Sequence, residues 1–451
     1  MSELLERART LLERAADGEQ MEVYLSRGVE TEVQAYQGGV ENLSSSSSAE
    51  IGIRILIDGP QGARVGTAYA GSLDDEAIAE ALENARDNAV FATEDEFVAF
   101  ARPDGVAPVS LSLSDPTVSS TSMDDKVAMA IELEAMVRAG DSRIRQVDAA
   151  NYSDYVSEAA IASTTGIVAA FDRSGSYLSV EVIASDGDED QTGWGLSVGR
   201  APGDLSIETA ASDAIRRATR MLGAVKPGSS KGVAVFDPRT AATLWSIVGG
   251  ALSGDAVVRG RSFFAGRLGE EVAASLVTLV DDPTDARHFS ASAYDAEGLA
   301  CRRNELITSG RLQQFVYDTV SGRRAGTSST GNAVRGGVAG SPSAGCRALQ
   351  VESGEYDQDE IFRRVGNGVF VESLTGVHSG VNPISGDFSV GITGLMIRDG
   401  VLAEPIREVT IASTLQRMLL DVLLVGNDVQ WLPGTTAAQT IAVDNIALSG
   451  S

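Results

Sequence analysis

Histidine is scarce in this chain, and its scarcity limits the metal chemistry available. The 451-residue sequence contains two histidines, His288 and His378. A catalytic zinc site needs about three protein ligands from His, Asp, Glu or Cys and one open position. The two histidines are far apart in sequence, so no H-E-x-x-H or related helical pair can be formed. We therefore expect no metal site in this chain unless carboxylates or cysteines supply unusual ligands.

The two histidines have different neighbours. His288 follows Asp281 and Asp282, and we interpret it as a surface loop residue. His378 lies in the segment Gly-Val-His-Ser-Gly-Val-Asn, which ends at Asn382. A glycine-flanked histidine beside Ser and Asn can line a cavity or fix a loop by hydrogen bonds. Loop fixing is the simpler interpretation, and both remain open.

One string matches a serine-nucleophile motif. Residues 228–232 read Gly-Ser-Ser-Lys-Gly, which fits G-x-S-x-G. That chemistry needs a strand before the serine and a helix after it. Here Pro227 and Gly228 precede the serine and a predicted strand follows, which favours a linker. No phosphate-binding or dinucleotide-binding glycine motif is present in the sequence.

Composition restricts the partners. The net charge is −27, from 63 acidic and 36 basic residues, so the chain repels a phosphate backbone and we expect no nucleic-acid partner. Only Lys126, Lys226 and Lys231 are lysines, which either a high-salt cell or arginine-rich codon usage would explain. No signal peptide or spanning segment is predicted, and two cysteines are compatible with a reducing cytoplasm.

The N-terminal pattern predicts helix-plus-hairpin units. An opening helix is followed by strands, and the alternation from Ile51 to Ile57 with the turn at 58–60 predicts a hairpin. Ser44–Ser48 interrupts this strand pattern. A helix from Asp74 and a long connection over 93–122 complete the first unit. A second unit runs from a helix at 124–139 through several strands to a helix at 207–222.

Beyond the linker at 226–232 the pattern becomes rich in short strands with Gly-containing turns. We predict an α+β fold whose C-terminal part is mostly antiparallel β, as a curved sheet or partial barrel. The predicted domains are 1–110 (N-terminal α+β), 111–225 (central α+β) and 226–451 (C-terminal β-rich).

Several strings together resemble the TldD/PmbA family, whose members were once called modulators of DNA gyrase. The strings lie at 91–96, 261–270, 295–298, 326–335, 377–389 and 426–428. The C-terminal half is the specific part of this resemblance. The resemblance implies a cytosolic protease built from two related chains. One, TldD, has a zinc-binding H-E-x-x-x-H helix and a cysteine ligand near its C-terminus, and the other, TldE, lacks them.

This chain resembles the TldE branch. With Leu252, Gly254 and Asp255 as anchors, Trp245 occupies the first His position, Ser246 the Glu position and Gly250 the second His position. None of these residues can ligate zinc or transfer a proton as the motif requires. No cysteine follows Cys346.

The resemblance implies a non-catalytic subunit of a zinc metalloprotease that processes unfolded peptides. Zinc is expected only in a TldD-like partner, with which this chain would form a heterodimer, and otherwise a homodimer. Family subunits pair through their C-terminal halves around a chamber. The cavity or interface candidates are therefore His378, Ser379, Asn382, Asp387 and Asp255. The alternatives are a homodimeric peptide-binding or scaffold protein without a catalytic partner, and a stand-alone hydrolase. We expect no membrane partner.

Overall fold

The computed structural model describes residues 2–450. The helices are α1 Glu3–Leu12, α2 Asp75–Phe91, α3 Thr117–Ser120, α4 Met123–Gly140, α5 Ile207–Thr219, α6 Pro238–Ala251, α7 Gly254–Val258, α8 Thr319–Ala325, α9 Gln358–Val365, α10 Val377–Gly380 and α11 Leu415–Leu420. The strands are β1 Glu19–Tyr36, β2 Gly39–Gly59, β3 Gly62–Ala70, β4 Ile144–Ser163, β5 Val168–Asp186, β6 Glu189–Gly199, β7 Ser230–Phe236, β8 Leu279–Asp281, β9 Asn304–Thr308, β10 Arg311–Leu312, β11 Ala333–Val334, β12 Ser343–Ala344, β13 Leu349–Val351, β14 Gly368–Thr375, β15 Asp387–Arg398, β16 Val401–Thr414, β17 Val422–Val425, β18 Thr436–Ala437 and β19 Ile441–Ser449.

The N-terminal half is built on one curled antiparallel sheet. Its strand order is β3-β2-β1-β4-β5-β6, so β1 of the first predicted domain pairs directly with β4 of the second. The register of that pair runs from Glu22 opposite Ser163 to Ala35 opposite Ala150. The domain division at residues 110 and 225 stays a prediction, and one sheet spans the first of these boundaries.

One face of this sheet carries two separate pairs of helices. Helices α1 and α2 pack over one end of β1 and β2, where Val23, Ile53 and Ile78 belong to a common apolar core. Helices α4 and α5 pack over the other end, around Tyr152 and Val180. These helices present apolar residues to the sheet at helical spacing, as the sequence predicts.

The serine segment 44–48 differs from the sequence expectation. It does not interrupt β2 but continues it, because every serine pairs with a residue of β1. Both of its faces are exposed, so no apolar alternation marks it in the sequence. Pairing with β1 therefore overrides the weak strand propensity of serine.

The C-terminal half contains a small barrel and a second sheet. Strands β16, β15, β14, β7 and β19 close into a five-stranded barrel through the additional pairing of β16 with β19. Only the β7–β14 pair of this barrel is parallel. A five-stranded sheet in the order β10-β9-β8-β13-β18 lies beside it. The predicted α+β class and the partial barrel are confirmed.

A buried ion pair joins the two halves. Glu22 of β1 binds Arg54 of β2 at 3.0 Å and Arg335 of the C-terminal half at 2.7 Å. All three side chains are at most 7% exposed. Burial alone would raise the pKa of Glu22, but the two guanidinium groups outweigh it and hold the pKa below its ordinary value. Across residues 2–450, no helix is long and apolar enough to cross a membrane.

Candidate functional site

Helix α6 carries the three positions that the resemblance compares with a zinc-binding helix. The side chain of Asp237 caps its first turn by accepting from the N–H of Arg239 at 2.9 Å. Trp245 is 1% exposed and belongs to the main core of the C-terminal half. Ser246 and Gly250 are exposed, and a Cβ added at Gly250 would meet no atom within 4 Å. The helix therefore directs position 245 into the core and positions 246 and 250 toward solvent.

Ser246 lines a groove between α6 and strand β6, which we call the β6 groove. Its volume is about 500 Å³. The lining residues are Trp194, Leu196, Arg239, Ala242, Thr243, Ser246, Ile247, Leu432, Pro433, Gly434, Thr435 and Thr436. Strand β6 is the last strand of the N-terminal sheet, so one of its edges has no strand partner among the described residues. The groove therefore combines an open strand edge with the exposed side of α6.

Close contact with α5 explains how β6 presents Trp194 to the groove. A Cβ at Gly193 would lie 2.2 Å from the carbonyl oxygen of Ala214, and one at Gly195 would lie 1.8 Å from that of Ala210. The two glycines therefore let α5 lie directly on one face of β6. Because strand side chains alternate, Trp194 points to the opposite face, where it is 42% exposed.

Arg239 of α6 forms a hydrogen bond with the edge of β6. Its Nη1 donates to the carbonyl oxygen of Trp194 at 3.2 Å, and its guanidinium lies 4.7 Å from the centre of the Trp194 ring. Its Nη2 binds Asp213 of α5 at 2.6 Å. Burial would raise the pKa of Asp213, but Arg217, Arg239 and Arg216 lower it below its ordinary value. The main-chain groups of Trp194 thus point away from β5 toward the groove.

Four of the site residues proposed from sequence lie together in the loop between β14 and β15 and at the first residue of β15. His378 and Ser379 belong to the short helix α10, and both side chains are exposed, as are those of Asn382 and Asp387. Asn382 Oδ1 accepts from the N–H groups of Ile384 and Ser385, at 2.9 and 3.2 Å.

The same loop is held against α11 by hydrogen bonds. Asp387 Oδ2 accepts from the hydroxyl of Ser385 at 2.7 Å, and the N–H of Leu415 donates to Gly386 at 2.7 Å. Gln416 Nε2 donates to the carbonyl oxygen of Ser385 at 2.8 Å. Asn382 and Asp387 therefore shape the loop, which leaves His378 displayed on its surface.

Asp255, the fifth proposed residue, lies in α7. Its carboxylate binds Arg259 at 2.8 Å and Arg261 at 3.2 Å, and it lies 3.9 Å from Arg324 of α8. Arg324 also pairs with Asp95 of the N-terminal half. Asp255 is thus part of an ion-pair cluster between the halves and is not joined to the 376–389 loop by these contacts.

The prediction that His288 is a surface loop residue is wrong. Its side chain is buried at 2% exposure, and its ring packs edge-on against Trp431 with centroids 5.0 Å apart. Burial lowers the pKa of His288 below its ordinary value. Trp431 comes 143 positions later in the chain, so the acidic residues near His288 could not reveal this partner.

The residues of α6 do not fit a zinc ion. Tryptophan, serine and glycine at positions 245, 246 and 250 offer no imidazole or carboxylate ligand. Cys346 lies next to the helix, with its Sγ 3.7 Å from the carbonyl oxygen of Gly249. Burial raises its pKa well above the ordinary value, which disfavours the thiolate that zinc requires. In the described part of the chain, no three His, Cys, Asp or Glu side chains are grouped to hold a metal ion.

The β6 groove was not predicted from the sequence. Trp194, Arg239 and Leu432 come from three distant segments, and no motif links them. The only local signal is the string Gly193-Trp194-Gly195, in which a large aromatic residue lies between two glycines at the start of a strand predicted over 194–198. Such a string indicates close packing on one strand face and an exposed ring on the other.

The fold and these motifs define a class of protein. Residues 21–89 match the PmbA/TldA metallopeptidase domain 1, residues 116–222 the central domain and residues 229–450 the C-terminal domain. The chain belongs to the PmbA/TldD metallopeptidase family.

Individual relatives support this assignment over nearly the whole length. The chain is 27% identical to Metalloprotease PmbA of Escherichia coli O157:H7 over 439 residues, which cover 95% of this chain and 92% of the relative. It is 25% identical to the Metalloprotease TldD homolog of Haemophilus influenzae over 370 residues, or 77% and 76% of the two chains. The crystal structure of TldE from Thermococcus kodakarensis has the same fold, with a TM-score of 0.89 and 23% identity over 99% of this chain and 100% of that one.

Proposed function

We propose that this chain is a TldE-like, non-catalytic subunit of a TldD/TldE-type zinc metalloprotease that degrades or processes unfolded peptides. The observation that supports the proposal is the set of side chains at the three motif positions of α6. Trp245 is buried in the core, and Ser246 and Gly250 are exposed to solvent. None of the three offers a ligand atom suited to zinc. In this proposal zinc is bound by a TldD-like partner chain. This chain contributes part of the chamber wall and contacts to the peptide, and the complex acts in the cytoplasm.

The β6 groove would position the peptide. Main-chain groups of an extended peptide can pair with the open edge of a strand, which gives affinity without reading the sequence. The edge of β6 lies beside Ser246, at the place on α6 where the catalytic branch carries its glutamate. Trp194 offers an aromatic surface against which a peptide side chain can pack.

The exposed 376–389 loop would form part of the partner interface or the chamber wall. Its hydrogen bonds fix its shape while His378, Ser379 and Ile384 remain exposed. Loops of this kind, held by a rigid scaffold, are common recognition surfaces. We propose a heterodimer with a TldD-like chain, and a homodimer when that chain is absent.

Co-expression tests the proposal directly. The purified chain alone should hold less than one zinc per chain by elemental analysis and should leave an unfolded peptide uncut. Co-expressed with a TldD-like chain, it should co-purify as a heterodimer with chelator-sensitive peptidase activity. Stoichiometric zinc and chelator-sensitive cleavage by the isolated chain would contradict the proposal. A homodimer that does not co-purify with any TldD-like chain would favour the alternative of a scaffold protein.

A bulky residue in the groove tests its role. Ser246→Trp should obstruct the β6 groove and lower peptide cleavage by the complex, while the heterodimer still forms in sedimentation. Ser353→Trp is the matched control, because Ser353 is exposed and does not line the groove. Equal activity of both variants would remove the groove from the proposal.

The exposed histidine has a separate test. His378→Ala should weaken peptide processing by the complex with little change in the melting temperature of the isolated chain, because the side chain is exposed. A loss of several degrees in melting temperature with full activity of the complex would make His378 a structural residue only.

A further inference from the structure

Strand β2 has a long open edge far from the β6 groove in the strand order. Strand β3 pairs with β2 from Ile51 to Gly59 only. From Val40 to Glu50, β2 pairs with β1 on one side, and no described strand pairs with its other side. This stretch, which we call the serine edge, contains Ser44–Ser48 and is exposed through residue 48.

The hydrogen-bond pattern shows which main-chain N–H and C=O groups of the serine edge point away from β1. The N–H of Met21 donates to Thr164 Oγ1 and its carbonyl oxygen accepts from the N–H of Thr164, both at 2.9 Å, so Met21 faces β4. Because these groups alternate along an antiparallel strand, the even-numbered residues of β1 face β2. Their partners on β2 are even-numbered too, as in Gly28 opposite Ser48. The odd-numbered residues of the serine edge therefore direct their N–H and C=O groups outward.

Residues 43–50 of the serine edge lack the features that normally protect an exposed strand. Protein sheets block their edges with lysine, proline, bulges or a covering segment. The register of residues 43–50 against β1 is continuous, and that stretch contains neither lysine nor proline. Serine side chains are small and uncharged, so they leave the main-chain groups accessible.

A cavity of about 850 Å³ lies over the same part of the sheet, between the two pairs of helices. Its floor includes Val29, Thr31 and Val156 with the hydroxyls of Ser45 and Ser47. Val118 and Met123 form part of its wall.

The charged groups of this cavity are already paired with one another. Lys126 binds Asp154 at 2.5 Å, and Arg27 binds Glu158 at 2.8 Å. The cavity therefore suits uncharged apolar or hydroxyl side chains more than charged ones.

We propose that the serine edge binds an extended peptide segment as an additional strand, with alternate side chains of the peptide entering this cavity. Main-chain hydrogen bonds to Leu43, Ser45, Ser47 and Ala49 supply the affinity, so binding tolerates many sequences and favours small apolar or hydroxyl residues. The site is separate from the β6 groove and does not depend on a partner chain.

A peptide fits the serine edge better than a second subunit does. A subunit interface needs one register, and a run of identical serines specifies none, because a shifted strand would meet the same side chains. A stable interface also needs an apolar centre, whereas all the side chains of residues 39–48 are exposed and five are serine.

The test uses the isolated full-length chain and a fluorescent peptide of about ten residues of alternating Val and Thr with lysine at each end, a length that matches the edge. Fluorescence anisotropy should show saturable binding. The same peptide with four consecutive N-methylated amides should bind at least about tenfold more weakly, because it loses main-chain donors on both of its edges.

Two substitutions at one position give the matched control. Ser47→Pro removes the outward N–H and should weaken binding at least about tenfold, whereas Ser47→Ala keeps the N–H and should change it less than about twofold. Circular dichroism shows whether each variant is folded. Both substitutions are made in a Ser246→Trp background, which obstructs the β6 groove, so that peptide binding at that groove does not contribute to the anisotropy.

Three results in the Ser246→Trp background would overturn the inference: no saturable binding, equal binding of the N-methylated peptide, or equal binding by Ser47→Pro and Ser47→Ala. A concentration-dependent dimer that Ser47→Pro converts to monomer would assign the serine edge to a second copy and also overturn it. Because the partner chain is absent, these outcomes leave the proposed protease role to its own experiments.

Discussion

Glu22 places a buried negative charge at the contact between the two halves. It is 3% exposed and pairs with both Arg54 and Arg335, which are buried as well. Removing one member of a buried ion pair leaves the others without compensation, at a typical cost of about 3–5 kcal/mol.

Glu22→Gln should therefore lower the free energy of unfolding by about 3–5 kcal/mol in chemical denaturation. Glu30→Gln is the control on the same strand, since Glu30 is exposed, and it should change stability by less than about 0.5 kcal/mol. The pKa of Glu22 is lowered in the folded chain, so its stabilisation is present above the unfolded pKa and lost as pH falls. An equal effect of both substitutions would contradict this assignment.

The pKa of Glu297 is shifted in the opposite direction from that of Glu22. It is 2% exposed, and its Oε2 accepts from the N–H and the hydroxyl of Thr319 at 3.0 and 2.7 Å. Burial, with the charges of Asp295 and Asp318, raises the pKa of Glu297 well above its ordinary value. The folded chain therefore holds a proton on this carboxyl at pH values where the unfolded chain has lost it.

The contribution of Glu297 to the free energy of unfolding should consequently fall as pH rises from 4.5, the unperturbed value, toward neutral. Glu297→Gln cannot ionise and should reduce this slope in denaturation curves measured across that range. Exposed Glu305→Gln should leave it unchanged. A wild-type slope that Glu297→Gln leaves intact would place the excess proton elsewhere, for example on Asp281, whose pKa burial raises to about 6.

At the scale of the elements, β6 and α5 depend on glycine for their close approach. Gly195→Ala would place a Cβ 1.8 Å from the carbonyl oxygen of Ala210, which is main chain and cannot swing aside. We expect a loss of about 1–3 kcal/mol in the free energy of unfolding.

Gly250→Ala is the control, because its Cβ meets open space at the exposed side of α6. It should raise stability by up to about 1 kcal/mol, since alanine favours the helix. Thermal and chemical denaturation of both variants measure the difference. A Gly195→Ala chain as stable as the wild type would mean that α5 can shift away from the strand.

The elements show which local signals the sequence carries. Alternation from Ile51 to Ile57 predicted the hairpin, and apolar spacing predicted α2, because these apolar residues pack into one core. Ser44–Ser48 was not recognised as strand because neither face is buried. The zinc-motif positions could be aligned, but the core location of Trp245 and the β6 groove depend on contacts between distant segments.

At the scale of the whole molecule, the negative net charge leads us to expect no nucleic-acid partner. A net charge of −27 opposes the approach of a phosphate backbone. Electrophoretic mobility shift at physiological salt should therefore detect no DNA binding at submicromolar protein. A salt-dependent shift under those conditions would contradict this expectation.

The strand order also determines when the N-terminal sheet can form during synthesis. Strand β1 is made within the first 36 residues, but β4, which covers one of its edges, ends at Ser163. Domains generally fold as units while the chain is being made. The edge of β1 that later pairs with β4 therefore stays unpaired while more than a hundred further residues are synthesised. A bare edge recruits strands from other chains. A fragment of residues 1–110 should therefore self-associate in light scattering far more than a fragment of residues 1–225, in which β4 is present.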